Sequence, residues 1–229
     1  MIGFNEEQLE LVREDGVRVP ARRYMPEIDA SQTRDGAGVV VLAGERGLTE
    51  DVLSRLVAPI VNLGFFALAF DVVGGRATDS DDDARERAAF VDHAGAIDEL
   101  ALALTKLREM AYGKLAVVGV DAGAAIAIEA ATVLPRIDAV VHAGGPPPAS
   151  TAKLVRMRAP LQIHRTDDGP LTADDASAIE AAVAAANNEL QLFDYPARHG
   201  FLTRPRDAEE EHHAIVAWER IRDFLTGLL

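Results

Sequence analysis

Hydrophobic and polar positions alternate along this chain with two different periods, and the switches between them lay out its elements. Leu9, Leu11 and Arg13, then Val17, Val19 and Ala21, share one alternating face on either side of Glu14-Asp15-Gly16. This pattern predicts two short strands joined by a turn at Asp15-Gly16. The continuous apolar run 38–44 predicts a strand buried on both faces. Val52, Leu53, Leu56, Val57, Ile60 and Val61 then recur at helical spacing behind Thr49, a residue suited to capping. A second buried strand is predicted over 65–70, ending at Asp71. A loop over 72–83 leads into one long helix over 84–110. Strands are predicted at 115–120, 139–141, 161–163 and 190–193, with helices at 122–133, 173–186 and 208–228. Strand and helix alternate through the middle of the chain, which predicts a mostly parallel, doubly wound α/β sheet. No repeat and no Gly-, Ser- or Pro-rich linker divides the sequence, so residues 1–229 read as a single domain.

Charge and composition narrow the possible partners. The chain has 229 residues and a formal net charge of −14. That balance argues against a nucleic-acid backbone or an anionic membrane as partner. There is no cysteine, which excludes disulfides and thiolate metal sites. The stretch Met1-Ile2-Gly3-Phe4-Asn5-Glu6-Glu7 lacks the basic and apolar regions of a signal peptide. No run approaches the ~20 apolar residues of a spanning helix. A soluble, cytoplasmic monomer or homodimer acting on a small molecule is the expectation. The acidic run Asp79-Ser80-Asp81-Asp82-Asp83 reads as a solvated loop and helix start. It lacks the glycine and closing glutamate of a calcium loop.

The most informative motif is Gly119-Val120-Asp121-Ala122-Gly123, at the end of the apolar run 114–118. It reads G-x-D-x-G where the nucleophile elbow of an α/β-hydrolase reads G-x-S-x-G or G-x-C-x-G. Its glycines stand where a sharp strand-to-helix turn needs them, but the central residue is a carboxylate. Asp121 can be a nucleophile, a general base, a helix cap or an inactivating replacement. In doubly wound sheets, ligands and reacting groups gather at the carboxyl ends of the strands. Asp121, Glu45, Asp168 and His199 all fall there. Their chain order of nucleophile, acid and histidine is that of an α/β-hydrolase triad.

With these residues, the chain resembles the dienelactone hydrolase family over nearly its whole length. The likeness includes Glu45-Arg46-Gly47-Leu48, Leu63-Gly64-Phe65, Phe70-Asp71 and the elbow. It continues through Thr166-Asp167-Asp168 and Tyr195-Pro196-Ala197-Arg198-His199-Gly200-Phe201. The resemblance implies an α/β-hydrolase fold without a large cap domain, and hydrolysis of esters or lactones. It implies His199 as base, Asp168 as the acid that orients it (Asp167 competes), and Asp121 where the family has Cys or Ser. It also implies Glu45 as the glutamate beside the resting nucleophile, and the N–H groups of Ala122 and Arg46 as the oxyanion hole. Arg204, Arg85 and Arg87 fall where substrate contacts are expected, and arginine suits a carboxylate-bearing substrate. The other histidines (His93, His142, His164, His212, His213) have no motif and read as surface or packing residues.

An elbow aspartate also resembles haloalkane dehalogenases and epoxide hydrolases. Those enzymes need a cap after the strand read at 139–141, for which this chain has too short a segment. Its only tryptophan, Trp218, lies in the last helix, a poor place for a halide ligand. Two carboxylates about 4 Å apart repel by about 4 kcal/mol at an effective dielectric of 20, roughly 3 pKa units. Glu45 and Asp121 therefore predict that one is protonated, that Glu45 turns to an arginine, or that a cation lies between them. The expectation is no cofactor and no resident metal. The alternative to a hydrolase is an inactive family member that binds or scaffolds through the old pocket.

Overall fold

The computed structural model describes residues 3–27 and 35–229; Met1 and Ile2 of the N-terminal stretch read above lie outside them. Eight strands form one sheet in the order β1-β2-β4-β3-β5-β6-β7-β8. β1 (Phe4–Val12) and β2 (Arg18–Pro26) are the expected hairpin, and β2 runs antiparallel to β4 (Phe66–Asp71). β3 (Gly38–Ala43), β4, β5 (Leu115–Val120), β6 (Ala139–Ala143), β7 (Leu161–Thr166) and β8 (Leu190–Tyr195) are mutually parallel. The fold is that of an α/β-hydrolase.

The period of two within each strand sorts the core into two layers. Val40, Leu42, Leu68, Phe70, Val117 and Ile163 face one side. There they meet Leu100 and Leu107 of α4 (His93–Arg108), Ile126 of α5 (Ala122–Ala131) and Ile179 of α6 (Ala173–Ala185). Val39, Val41, Ala67, Val118 and Val141 face the other side. Those meet Ile60 of α2 (Ala58–Asn62), and Ile221 and Phe224 of α7 (Ala208–Leu228). Each fully buried aliphatic or aromatic side chain contributes roughly 1.5–3 kcal/mol over its exposed state. An exposed ion pair contributes about 0–1 kcal/mol. The two apolar layers, rather than the surface ion pairs, hold the sheet.

Two departures from the pattern have local causes. The helix behind Thr49 forms in pieces: α1 (Glu50–Val52), a π-helical turn (Leu53–Val57) and α2. Thr49 caps α1 by accepting the N–H of Val52 at 3.3 Å. Pro59 has no N–H to donate, and the N–H of Ala58 reaches back five residues to the carbonyl of Leu53. The single long helix expected over 84–110 is instead two, α3 (Asp81–Ala88) and α4. The chain extends at Asp92 (φ −81°, ψ 93°), whose carbonyl accepts the N–H of Ala96 and opens α4. The acidic run forms the first turn of α3, with Ser80 accepting the N–H of Asp83. Between β6 and β7 stands only a 3₁₀ helix (Thr151–Arg156), so no large cap covers the carboxyl ends.

β3 lies between β4 and β5, and the chain leaves it first to one side and then to the other. This switch point opens a crevice at the carboxyl ends of β3 and β5. Glu45 follows β3 and Asp121 follows β5.

Candidate active site

The turn from β5 into α5 is strained at the residue that carries the chemistry. Asp121 has φ 51° and ψ −127°, a conformation that side chains rarely adopt. Its carboxylate makes no hydrogen bond to the first N–H groups of α5, so helix capping does not account for it. Small neighbours permit the turn. A Cβ on Gly119 would stand 2.6 Å from Cα of Ala124, and one on Gly123 would meet the carbonyl of Leu42. One on Gly44 would lie 2.7 Å from the nitrogen of Ala122.

Around this turn the structure gathers Glu45, Asp121 and His199. Oδ1 of Asp121 lies 3.6 Å from Nε2 of His199, and the Asp121 side chain is 9% exposed. Oε2 of Glu45 accepts the backbone N–H of Ala122 at 3.0 Å. The N–H expected to serve an oxyanion is therefore occupied by a carboxylate. Burial and then the charge of Glu45 push the Asp121 carboxyl up to about 6, against the pull of His199, Arg46 and Arg204. Of the three outcomes expected for a carboxylate pair, Glu45 turning to an arginine is not seen among the described residues. Arg46 binds Asp81 instead. Glu45, Asp121 and His199 each offer one ligand atom, all within 4.8 Å of one another, and are the group among the described residues that could hold a metal ion.

His199 sits on the loop between β8 and α7. Asp168 reaches it, but at the main chain: Oδ1 of Asp168 accepts the His199 N–H at 2.7 Å. Nδ1 of His199 is buried without a hydrogen-bond partner among the described residues. The expected contact between the acid and the ring is replaced by a contact that fixes the loop. Buried Glu210 of α7 fixes the same loop by accepting the N–H groups of Arg198 and Arg206, and Arg206 donates to the carbonyl of His199. No motif marked Glu210. Its place one turn into the last helix, behind a loop rich in arginine, was the only sequence signal.

These groups open into a cavity of about 700 Å³. Its wall includes four carboxylates (Glu45, Asp81, Asp121, Asp168) and four arginines (Arg46, Arg85, Arg204, Arg206). Locally the wall is balanced although the chain carries −14, so an anionic group is not repelled there. Arg204 and Arg85 lie on it. Arg87 does not: it donates to the carbonyl of Arg76, away from the cavity. Residues two apart on a helix point to different sides, so α3 can turn only one of Arg85 and Arg87 inward. Sequence reading also missed Arg206, Asp81 and His93. His93, read as a surface or packing residue, lines the cavity and pairs through Nδ1 with Oε2 of Glu129 at 3.0 Å. His164 is the buried packing histidine expected, bonded to Tyr195 and Gln162 and pulled down to about 3 by burial.

Solved structures repeat this architecture. A protein from Klebsiella pneumoniae assigned as a dienelactone hydrolase is 20% identical, with a TM-score of 0.80 and coverage of 96% of this chain and 97% of that one. A dienelactone hydrolase-like promiscuous phosphotriesterase from metagenomic libraries is 20% identical, with a TM-score of 0.82 and coverage of 98% of each chain. An esterase from Pyrococcus furiosus is 16% identical, with a TM-score of 0.69 and coverage of 98% and 91%. No functionally curated protein matches the sequence. The family model for dienelactone hydrolases matches residues 27–229, which hold six of the eight strands and all of the site residues, and the chain belongs to the dienelactone hydrolase family.

Proposed function

We propose that the protein hydrolyses a small, carboxylate-bearing ester or lactone, with Asp121 as nucleophile and His199 as base. The observation that carries this reading is the placement of Asp121. It is held in a strained turn, does not cap its helix, and faces Nε2 of His199 across 3.6 Å. A residue kept in such a conformation without a structural use points to function. In the first step a carboxylate oxygen of Asp121 bonds to the acyl carbon and the ester C–O bond breaks. The departing alkoxide takes a proton from water, or stays tethered if the substrate is a lactone. In the second step His199 takes a proton from a water molecule whose oxygen attacks the acyl group, and Asp121 is released as carboxylate. Glu45 must first leave the N–H of Ala122 so that this donor can stabilise the developing oxyanion. Asp168 is a positioning residue, holding the His199 main chain. Arg204, Arg85 and Arg206 supply the charge for the carboxylate of the substrate.

Intact-mass measurement of His199→Ala mixed with an ester substrate tests the attack step. The expected result is an acyl adduct that maps to the peptide carrying Asp121 and decays slowly. Turnover by wild type with no adduct in the variant would move Asp121 to the role of general base.

The acid limb of the pH profile is a second check. Asp121 must be ionised to attack, so kcat/KM rises through about pH 6. Glu45→Gln removes the second cause of that elevation and shifts the limb to lower pH, while burial keeps it above the ordinary value. A limb unmoved by Glu45→Gln would contradict this coupling.

The reading needs no metal. Adding zinc to chelated protein leaves turnover unchanged or lowers it, by tying up Asp121 and His199. A tenfold rise would reassign the Glu45, Asp121 and His199 cluster to ion binding.

One observation favours a second reading, an inactive member that binds ligands. The Ala122 N–H is occupied by Glu45, and Nδ1 of His199 has no carboxylate partner among the described residues. That reading predicts ligand binding in the cavity with no turnover of any substrate class.

A further inference from the structure

α3 lies along the cavity and places one of its own carboxylates on two of the arginines. Oδ1 of Asp81 is bonded by Nη2 of Arg46 and lies 3.7 Å from Nη1 of Arg204. The two arginines come from separate loops, after β3 and after β8, and converge on one side chain. Asp81 is on the solvent side of the pair: its side chain is 68% exposed, against 20% for Arg46 and 32% for Arg204. Nη1 of Arg46 is buried with no hydrogen-bond partner among the described residues. The guanidinium fork is thus incompletely used by Asp81, although a carboxylate can engage such a fork with both oxygens.

The contact can be exchanged without unfolding the segment around it. The N–H of Thr78 donates to the carbonyl of Arg46 at 2.9 Å, tying the two loops through main chain. Ser80 caps α3 through the N–H of Asp83. Neither bond involves the Asp81 side chain. Asp223 of α7, an exposed carboxylate outside the cavity that pairs with Arg222, serves as the charge control.

We infer that Asp81 is an internal competitor for the anionic group of the substrate: it occupies Arg46 and Arg204 in the empty cavity and gives them up when a ligand carboxylate enters. Asp81 then sets how strongly the site discriminates anionic from neutral substrates. The inference rests on the reading that the substrate carries a carboxylate. It adds that the arginine site is filled in advance by the protein itself, which holds the arginines in place and raises the concentration of anion needed to engage them.

Calorimetric titration of succinate into wild type, Asp81→Asn, Asp223→Asn and Arg204→Gln tests it, with Asp81→Ser as a second substitution should the first fold poorly. Freeing two arginines from an exposed partner is expected to tighten succinate binding about fivefold in both Asp81 variants. Asp223→Asn stays at the wild-type value and Arg204→Gln weakens binding. Asp81 variants that bind no tighter than wild type, with Arg204→Gln still weakened, would overturn the competitor role and leave the anion site standing. No binding by any of the proteins would overturn both.

Discussion

Asp121→Asn is expected to abolish turnover while making the protein more stable. The amide cannot attack an acyl carbon, so kcat/KM falls by about 10³-fold or more. The stability change has the opposite sign because the wild-type carboxyl is buried beside Glu45, and these causes, in that order, raise it from 3.8 to about 6. A raised carboxyl binds its proton more tightly in the folded state. Wild-type stability therefore falls as the pH rises from about 4 through 6, and the loss persists above that range. Two pKa units correspond to about 3 kcal/mol, so the neutral amide recovers about 1–3 kcal/mol at pH 8. For a chain of this size that is an increase in Tm of about 2–12 °C. At pH 3.5 the two proteins should melt nearly together, because Asp121 is then largely protonated in the wild type. Thermal melts at the two pH values check this. An equal loss of stability at both would show that the carboxylate is structural.

The second large effect is expected from Gly145→Ala, a methyl group added outside the elbow itself. A Cβ at position 145 would collide with the carbonyl of Asp121 and lie 2.6 Å from Cβ of Ala124. The clash is against backbone at the turn that holds Asp121, so no flexible side chain can yield. Overpacking of this kind costs about 3 kcal/mol, and the shift it forces displaces Asp121 from His199. Turnover should fall by about 10²-fold, since small misplacements at a reacting group are costly. Gly144 is the control. It has φ +73°, and its nearest neighbour to an added Cβ is Nδ1 of His199 at 3.8 Å. Gly144→Ala meets backbone strain without a clash and costs about 1 kcal/mol. Chemical denaturation separates the two. Equal costs would mean that the elbow tolerates the displacement.

Most of the fold was legible because its central strands are buried on both faces, its first hairpin alternates, and its longer helices recur at helical spacing. The run at 115–120 and the final helix at 208–228 fall on β5 and α7. The failures lie where local pattern does not decide. The break between α3 and α4 carries no Gly or Pro, and arises where Asp92 extends and starts a new helix. The π-helical turn before Pro59 needed the missing N–H to be traced to a particular carbonyl.

The candidate site was legible where a residue follows a strand. Glu45, Asp121, Asp168 and His199 meet at one crevice because four strand ends meet there. The direction of side chains was not legible. Asp168 contacts the main chain of His199 instead of its ring, Glu45 fills the N–H of Ala122, and Arg87 turns away because α3 can present only one of its two arginines. Asp81 lay inside a run read correctly as a helix start. Its grip on Arg46 and Arg204 depends on loops 35 and more than 100 residues away, which no local pattern reports.

The most direct test of the account is turnover of aryl esters and lactones, with and without a carboxylate substituent, by wild type and Asp121→Ala at pH 8. The account predicts turnover by wild type, faster for substrates bearing a carboxylate, and loss of that turnover in the variant. Equal turnover by both proteins, or none by either, would contradict it.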